Sequence, residues 1–431
     1  MKTRTQKVLR LLRDYEAANL LWIAPDGRWP IVWARAQGAK VWDAEGRKYI
    51  DLTAAFGVAA AGHAAPGVVA AGQRQMGRLL HAMGDVHPHE VKAKLARELS
   101  RLTFERWSPG AVRGKTIFVN SGFEAVEVAL KTARLVTGRS RILAFDGAYH
   151  GLGYGALNAT HRPYFRDPFR SQLGEFGSFV PFPKENDNLA GTEKCIDRLL
   201  KTQTIGAVLV EPIQARAGVR VPPPGFLPLL RRLCDRHGAL LAVDEIFTGF
   251  GRTGAWFACE HSGTIPDLVC LGKALTGGFP LSACVGRAKV MDAAWPESHG
   301  EALHTSTFQG HPVGCAMALA QIKTIEEQWL PERSAALGAF LLEQLRANLA
   351  APGHAVQIRG RGLMVGVEIK TSNGRPATAL VLDAVKKMLS RGFILLPEGE
   401  SGNVISFSPP LTIARAALSA AVAALRAVLR P

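Results

Sequence analysis

The chain has 431 residues, too many for one small core and enough for two domains or one large domain with a smaller lobe. Hydrophobic residues make up 47% and charged residues 20%, an ordinary globular balance, and no apolar run approaches the roughly 18 residues that a membrane-spanning helix needs. The net charge of +16 is spread along the chain without a zinc-finger or RNP-like pattern, so it reads as a basic surface that attracts anions, not as a nucleic-acid interface.

The first sixteen residues are basic and lack the apolar centre of a secretory signal, and Asp14 and Glu16 disfavour a transit peptide. Lys7, Leu9, Arg10, Leu12, Arg13 and Tyr15 predict a short surface helix, and a cytoplasmic address follows. Ile31, Val32, Val41, Trp42 and Ile50 flank Asp43-Ala44-Glu45-Gly46 as in a hairpin. Five short apolar runs then read as buried strands, at 116–119, 141–145, 207–210, 239–243 and 268–271. After Gly122, the residues Ala125, Val128, Ala129, Thr132 and Leu135 fall on one helical face, and 226–233 supplies a crossover helix that stops at His237-Gly238. Past 320 come a helix, a strand-like run at 362–367 and an alanine-rich helix at 414–429. Strands alternating with helices define an α/β fold with a mostly parallel central sheet. The expected division is a large domain over 61–320 and a smaller α+β domain built from both ends, 1–60 and 321–431.

The residues that follow the five strands are Asn120-Ser121-Gly122, the loop with Tyr149-His150-Gly151, Glu211, Asp244 and Gly272-Lys273. Ligands of open α/β sheets bind beyond the carboxyl ends of the strands, so these segments point at one site. Lys273, set between Leu271, Gly272, Ala274 and Leu275, is poorly solvated, and a desolvated lysine loses its proton readily enough to form Schiff bases. An aspartate and a lysine on neighbouring strand ends meet the needs of pyridoxal phosphate, namely a Schiff-base lysine and an acid partner for the ring nitrogen.

These stretches resemble the class III aminotransferases, the family of 4-aminobutyrate, ornithine and acetylornithine aminotransferases. The resemblance runs from about Tyr15 to the end, through Asn120-Ser121-Gly122-Phe123-Glu124-Ala125, Tyr149-His150-Gly151, Glu211-Pro212-Ile213-Gln214, Asp244-Glu245 with Thr248-Gly249-Phe250-Gly251-Arg252, Gly272-Lys273 and Thr307-Phe308-Gln309-Gly310. It implies fold type I, pyridoxal phosphate, an amino donor with a keto or aldehyde acceptor, and a homodimer. By this resemblance Lys273, Asp244 and Tyr149 are catalytic: Lys273 forms the Schiff base and carries the proton, Asp244 keeps the ring nitrogen protonated, and Tyr149 stacks on the ring. Ile246 packs on the other face, Gly122 and Phe123 offer backbone N–H groups to the phosphate, and Thr307 reaches the phosphate in the partner subunit. Ser121, His150, Glu211 and Phe247 complete the expected cofactor-binding set. No metal, nucleic-acid or membrane partner is expected.

Three positions depart from the family pattern. Phe123 stands where Ser, Thr or Ala is usual. Leu152 and Ser406 stand where arginines grip the carboxylates of the substrate, which makes a 4-aminobutyrate specificity doubtful. Glu211 then lacks its usual arginine partner and is open to a cationic or hydroxylated substrate, while Arg162, Arg166, Arg359 and Arg361 are candidates to restore the missing charge. A racemase, epimerase or aminomutase of the same fold is the alternative reaction. The six cysteines show no C-x-x-C pair and Cys234 and Cys270 read as buried packing; His87-x-His89 reads as an exposed turn; Trp22, Trp29, Trp33 and Trp42 read as packing in the smaller lobe.

Overall fold

The hairpin signal near the N-terminus builds the first of three sheets in the computed structural model, which describes residues 3–430. Strands β1 (Trp33–Gln37), β2 (Lys40–Asp43) and β3 (Lys48–Asp51) form an antiparallel meander. Asp43 fixes its second turn: one carboxylate oxygen accepts the N–H groups of Glu45 (3.0 Å) and Arg47 (2.8 Å), and the other accepts the Tyr49 hydroxyl at 2.9 Å. The helix Arg4–Tyr15 precedes it with no residue buried, as its polar sequence requires.

The central sheet has seven strands: β4 (Gly114–Val119), β5 (Arg141–Phe145), β6 (Gly177–Val180), β7 (Ile205–Val210), β8 (Leu240–Asp244), β9 (Leu268–Leu271) and β10 (Ser282–Arg287), in the order β4-β10-β9-β8-β7-β5-β6. All pairs are parallel except the two made by β10. β7 is buried at every residue, as expected of a strand covered on both faces. The five expected strands are β4, β5, β7, β8 and β9. β6 and β10 were not expected, because Gly-Ser-Phe-Val and Ser-Ala-Cys-Val-Gly-Arg carry too many small residues to read as an apolar run.

The third sheet comes from the C-terminal part, with β11 (His354–Arg361) and β12 (Met364–Thr371) as a long hairpin. β13 (Phe393–Ile394) leaves it to pair with β3, Phe393 opposite Ile50, so the two ends of the chain share one sheet. β14 (Leu396–Glu398) and β15 (Val404–Phe407) complete the order β11-β12-β15-β14. The run expected to be strand from 362 begins two residues late. Gly362 (φ 54°) and Leu363 form the hairpin turn, and the turn presses against the loop that carries Arg252 and Thr253. A Cβ at Gly362 would lie 2.4 Å from the Thr253 carbonyl carbon, so the approach needs glycine.

Two sequence expectations shift in the packed chain. In the helix Gly122–Thr137, Leu135 is 44% exposed, whereas Val126, Leu130 and Ala133 are buried beside the predicted Ala125, Val128, Ala129 and Thr132. The helix touches the sheet on one side and the helices Tyr154–Leu157 and Ala288–Ala294 on others, so its buried surface is wider than a single stripe. Of the four tryptophans, Trp29 packs against the core, but Trp22 and Trp33 are about half exposed, and Trp42 lies under the Arg35 guanidinium at 4.0 Å. His89 is a half-buried helix cap rather than an exposed turn residue, with Nδ1 accepting the Lys92 N–H and Nε2 2.8 Å from the Gly310 carbonyl. Cys234 and Cys270 are fully buried. Among the described residues no helix is long and apolar enough to cross a membrane.

Candidate active site

A cavity of about 480 Å³ opens where β7, β8 and β9 end and the helix Gly122–Thr137 begins. Gly122, Phe123, Tyr149, His150, Glu211, Asp244, Ile246, Phe247 and Lys273 all line it, so the strand-end rule brings nearly every expected residue together. Ser121 and Thr307 do not line it. Ser121 sits one residue outside, at the helix N-cap, where its hydroxyl and N–H both donate to Glu124. Thr307 is exposed, outside the cavity lining. A larger cavity of about 610 Å³ runs along the outer side of the same helix past Arg134 and Trp295, but it holds none of the strand-end groups.

Lys273 opens the short turn Lys273–Leu275 with φ 44°, a backbone region that non-glycine residues occupy only when their surroundings hold them there. Its Nζ lies 4.9 Å from the centre of the Phe247 ring. Burial lowers the pKa of its ammonium, against the opposing pull of the Asp244 and Glu211 carboxylates. Gly272, just before it, lies where a Cβ would come within 2.7 Å of Ser282 Oγ, so a larger residue there requires the Ser282 hydroxyl to turn away.

Asp244 ends β8 and is 5% exposed. One of its oxygens accepts the Ile246 N–H at 3.0 Å, and the other lies 2.7 Å from His150 Nδ1, which donates to it because a carboxylate only accepts. His150 Nε2 is buried with no hydrogen-bond partner among the described residues. Burial pushes the Tyr149 hydroxyl pKa up, and the Tyr149 ring meets Phe165 edge-on at 5.7 Å.

Glu211 has no arginine partner among the described residues, but two backbone amides bond it. One oxygen accepts the Tyr149 N–H at 2.9 Å and the other the Ala215 N–H at 3.1 Å, because the loops after β5 and β7 turn their amides toward the end of β7. Burial pushes this carboxyl up to about 7. It therefore ties two loops together while still lining the cavity.

The four arginines proposed from sequence to restore the missing charge do not line the cavity. Arg359 is buried against the carbonyls of Gly218 and Val219 and the Glu368 carboxylate, Arg162 donates to the Glu400 carbonyl, Arg166 lies over the Phe179 ring, and Arg361 is absent from the cavity wall. The arginine that does line it is Arg216, five residues beyond Glu211. The strand-end rule that selected Glu211 would have reached it had the loop after β7 been followed further. Ser406 lies in β15 opposite Gly366 and Leu396, away from the cavity wall, whereas Leu152 is on it.

Phe123 is accommodated by two glycines. A Cβ at Gly151 (φ 109°) would fall 2.3 Å from Phe123 Cβ, and one at Gly153 would fall 2.4 Å from its ring. The aromatic side chain therefore occupies space that residues 151 and 153 vacate, and its backbone stays in the first turn of the helix Gly122–Thr137. The first-turn amides of Gly122 and Phe123 have no intrahelical carbonyl to bond, which leaves them to an anion at the positive end of the helix. A Cβ at Gly122 would meet Ile246 at 3.0 Å, so the helix end approaches the β8 loop only because residue 122 is glycine.

A half-buried lysine, a carboxylate oriented by a histidine, an aromatic wall and a helix N-terminus around one cavity suit an amine-handling, phosphate-bearing ring cofactor, so the residues fit pyridoxal phosphate. The model of the class III aminotransferases matches residues 23–429, and the chain belongs to this family. It is 41% identical over 403 residues to an acetylornithine aminotransferase of Methanopyrus kandleri, covering 94% of this chain and 95% of that one. It is 40% identical over 404 residues to a 5-aminovalerate aminotransferase of Pseudomonas aeruginosa, covering 92% of each. The structure of an amine transaminase from an uncultivated Pseudomonas species in its pyridoxal-phosphate-bound form superposes with a TM-score of 0.85 at 31% identity, over 96% of this chain and 99% of that one. The fold is fold type I and the chain is an aminotransferase; nothing in these comparisons favours a racemase or an aminomutase.

Proposed function

We propose that this aminotransferase works with pyridoxal phosphate in the cavity at the ends of β7, β8 and β9, moving an amino group from an amine or amino acid to a keto or aldehyde acceptor. When bound, the cofactor supplies an aldehyde that condenses with amines and a ring that accepts electrons. Lys273 supplies the resident amine. Its burial favours the neutral form, which can take a proton from a substrate carbon and return it. Asp244 would hold the proton on the ring nitrogen, with its own orientation set by His150 and the Ile246 N–H. The amides of Gly122 and Phe123 would receive the phosphate, with Ser121 supporting that turn through Glu124, and Tyr149, Ile246 and Phe247 would hold the ring beside Lys273. Glu211 holds the Tyr149 loop in place.

The single observation that carries this reading is the placement of Lys273 and Asp244 on one cavity wall, where desolvation disfavours the lysine's charged form. A homodimer in which Thr307 reaches the partner's phosphate accounts for that residue's position outside its own cavity, and a smaller unit from 1–60 and 321–431 accords with the pairing of β3 and β13. A cytoplasmic location completes the proposal. The test is spectroscopic. Protein reconstituted with pyridoxal phosphate is yellow, borohydride bleaches it irreversibly, and an amino donor alone converts its band to that of the pyridoxamine form. Substrate proton exchange without that conversion would replace transamination by racemisation.

A further inference from the structure

The loop after β7 carries a cation whose hydrogen bonding is incomplete. Gln214 and Arg220 bond each other across the loop, Ala215 N–H donates to Glu211, and the Arg216 carbonyl accepts the Gly399 N–H at 3.1 Å, so the backbone of residue 216 is held at several points. Its side chain projects along the cavity wall with the guanidinium carbon 5.3 Å from the centre of the Tyr149 ring. Nε is buried and has no hydrogen-bond partner among the described residues; the nearest carboxylate oxygen, on Glu398 of β14, lies 3.7 Å away. An arginine presents five donors in a fixed fork, and 3.7 Å is beyond hydrogen-bond length, so the Glu398 contact leaves that fork unfilled. Arg216 and Lys273 are the two cationic side chains among the cavity-lining residues, and Lys273 is the one whose charge burial disfavours.

We infer, resting on the proposed transamination, that Arg216 grips a carboxylate of the substrate and that Glu398 is its resting partner when the substrate has none. A carboxylate matches the guanidinium fork in shape and charge and can accept two parallel N–H bonds, which Glu398 does not do from its present distance. Glu398 is suited to yield. Its side chain is 11% exposed, and burial raises its carboxyl to about 7 against the pull of Arg216, Arg162 and Lys273, so it can take up a proton as Arg216 turns away. The arrangement places the anchor in the loop after β7 and compensates for Leu152 and Ser406, where the family's arginines are missing. The cofactor's phosphate is assigned to the amides of Gly122 and Phe123, which pack toward Gly151 and Gly153, whereas the Arg216 loop is bonded to the end of β14.

The test compares kcat/KM for pyruvate and for succinic semialdehyde with that for butanal, which has no carboxylate, in the holoenzyme and in the variants R216A, R216K and E398Q. In R216A the carboxylate-to-butanal ratio should fall about 30-fold for at least one acid, as expected for losing a charge-assisted fork. R216K, which keeps the charge without the fork, should lie between the two, and E398Q should keep the ratio at or above that of the wild type. The inference is overturned if the R216A ratio stays within about tenfold of wild type for both acids. It is equally overturned if E398Q lowers the ratio, if the wild type shows no preference for either acid, or if R216A weakens pyridoxal phosphate binding without changing the ratio. Should the wild type transaminate none of these acceptors, the half-reaction decides, and the proposed function fails if an amino donor alone does not convert the bound chromophore to the pyridoxamine form. Titration of the bound chromophore with glutarate then still reads the contact, which R216A must weaken and which a wild type indifferent to glutarate would refute.

Discussion

His150 Nδ1 lies 2.7 Å from the Asp244 carboxylate, and both side chains are almost wholly buried at the end of β8. The Ile246 N–H fixes the other oxygen, so the carboxylate cannot rotate without breaking one of two bonds. Removing the histidine should leave a carboxylate in place but loosely aimed. We expect H150A to lower kcat/KM by about 10- to 100-fold, the loss of one bond to a charged group, and to shift the pH at which the bound cofactor's absorbance titrates. D244N should do more damage than H150A. A spectral titration unchanged in H150A would show that the histidine only fills space.

Lys273 is the one residue whose loss should abolish both colour and turnover. K273A should lower kcat by at least about 10³-fold, within the span for removing a positioned acid–base group, and borohydride should no longer attach the cofactor covalently. Added methylamine should restore part of the rate if the missing function is proton transfer. Mass spectrometry of the reduced protein checks the site of attachment.

The fit between Phe123 and the glycines opposite it makes a sharper structural prediction. Gly153 has an ordinary extended backbone (φ −64°, ψ 148°), so an alanine there is unfavourable only through contact, chiefly with the Phe123 ring at 2.4 Å. G153A should destabilise the protein by about 1–3 kcal/mol by overpacking. In the F123S background the same change should cost little, giving a coupling of more than about 0.5 kcal/mol in a double-mutant cycle followed by urea denaturation.

Glu245 offers a test by pH. It is fully buried, accepts the Cys259 N–H at 2.8 Å and the Thr248 hydroxyl, and burial raises its carboxyl to about 7. Because the folded pKa exceeds the unfolded one, the folded state binds the extra proton. The stability this group contributes is present in full below about pH 4.5 and is lost as pH rises through about 7. E245Q should flatten the decline between those limits by up to ~3 kcal/mol, measured by denaturation at pH 5 and at pH 7.5. Glu211 and Glu398 titrate in the same direction, so part of the slope remains in the variant.

Some of the site was legible because a simple rule applied. Asp244, Glu211 and Lys273 each follow an apolar run, and parallel strands point their carboxyl ends the same way, so position in the sequence translated directly into position in space. Arg216 escaped because it lies five residues into an irregular loop, where no periodicity says which side chains turn inward. β10 escaped because its small residues carry no apolar signal, although it fills the space between β4 and β9.

The amino-acid order alone determined the α/β alternation, the parallel core strands and the positions of Asp244 and Lys273 at strand ends, since each depends on local burial patterns that one stretch of chain displays. What required the folded molecule were the contacts between distant stretches. Among them are Glu211 bonded to two loop amides, Phe123 seated against Gly151 and Gly153, β13 joining β3, and Arg216 brought beside Glu398, 182 positions later (398 − 216). Local sequence sets which backbone conformations and burial patterns are favourable, but which charges and side chains meet is decided only when the sheets and loops pack, because that is where desolvation and steric exclusion act.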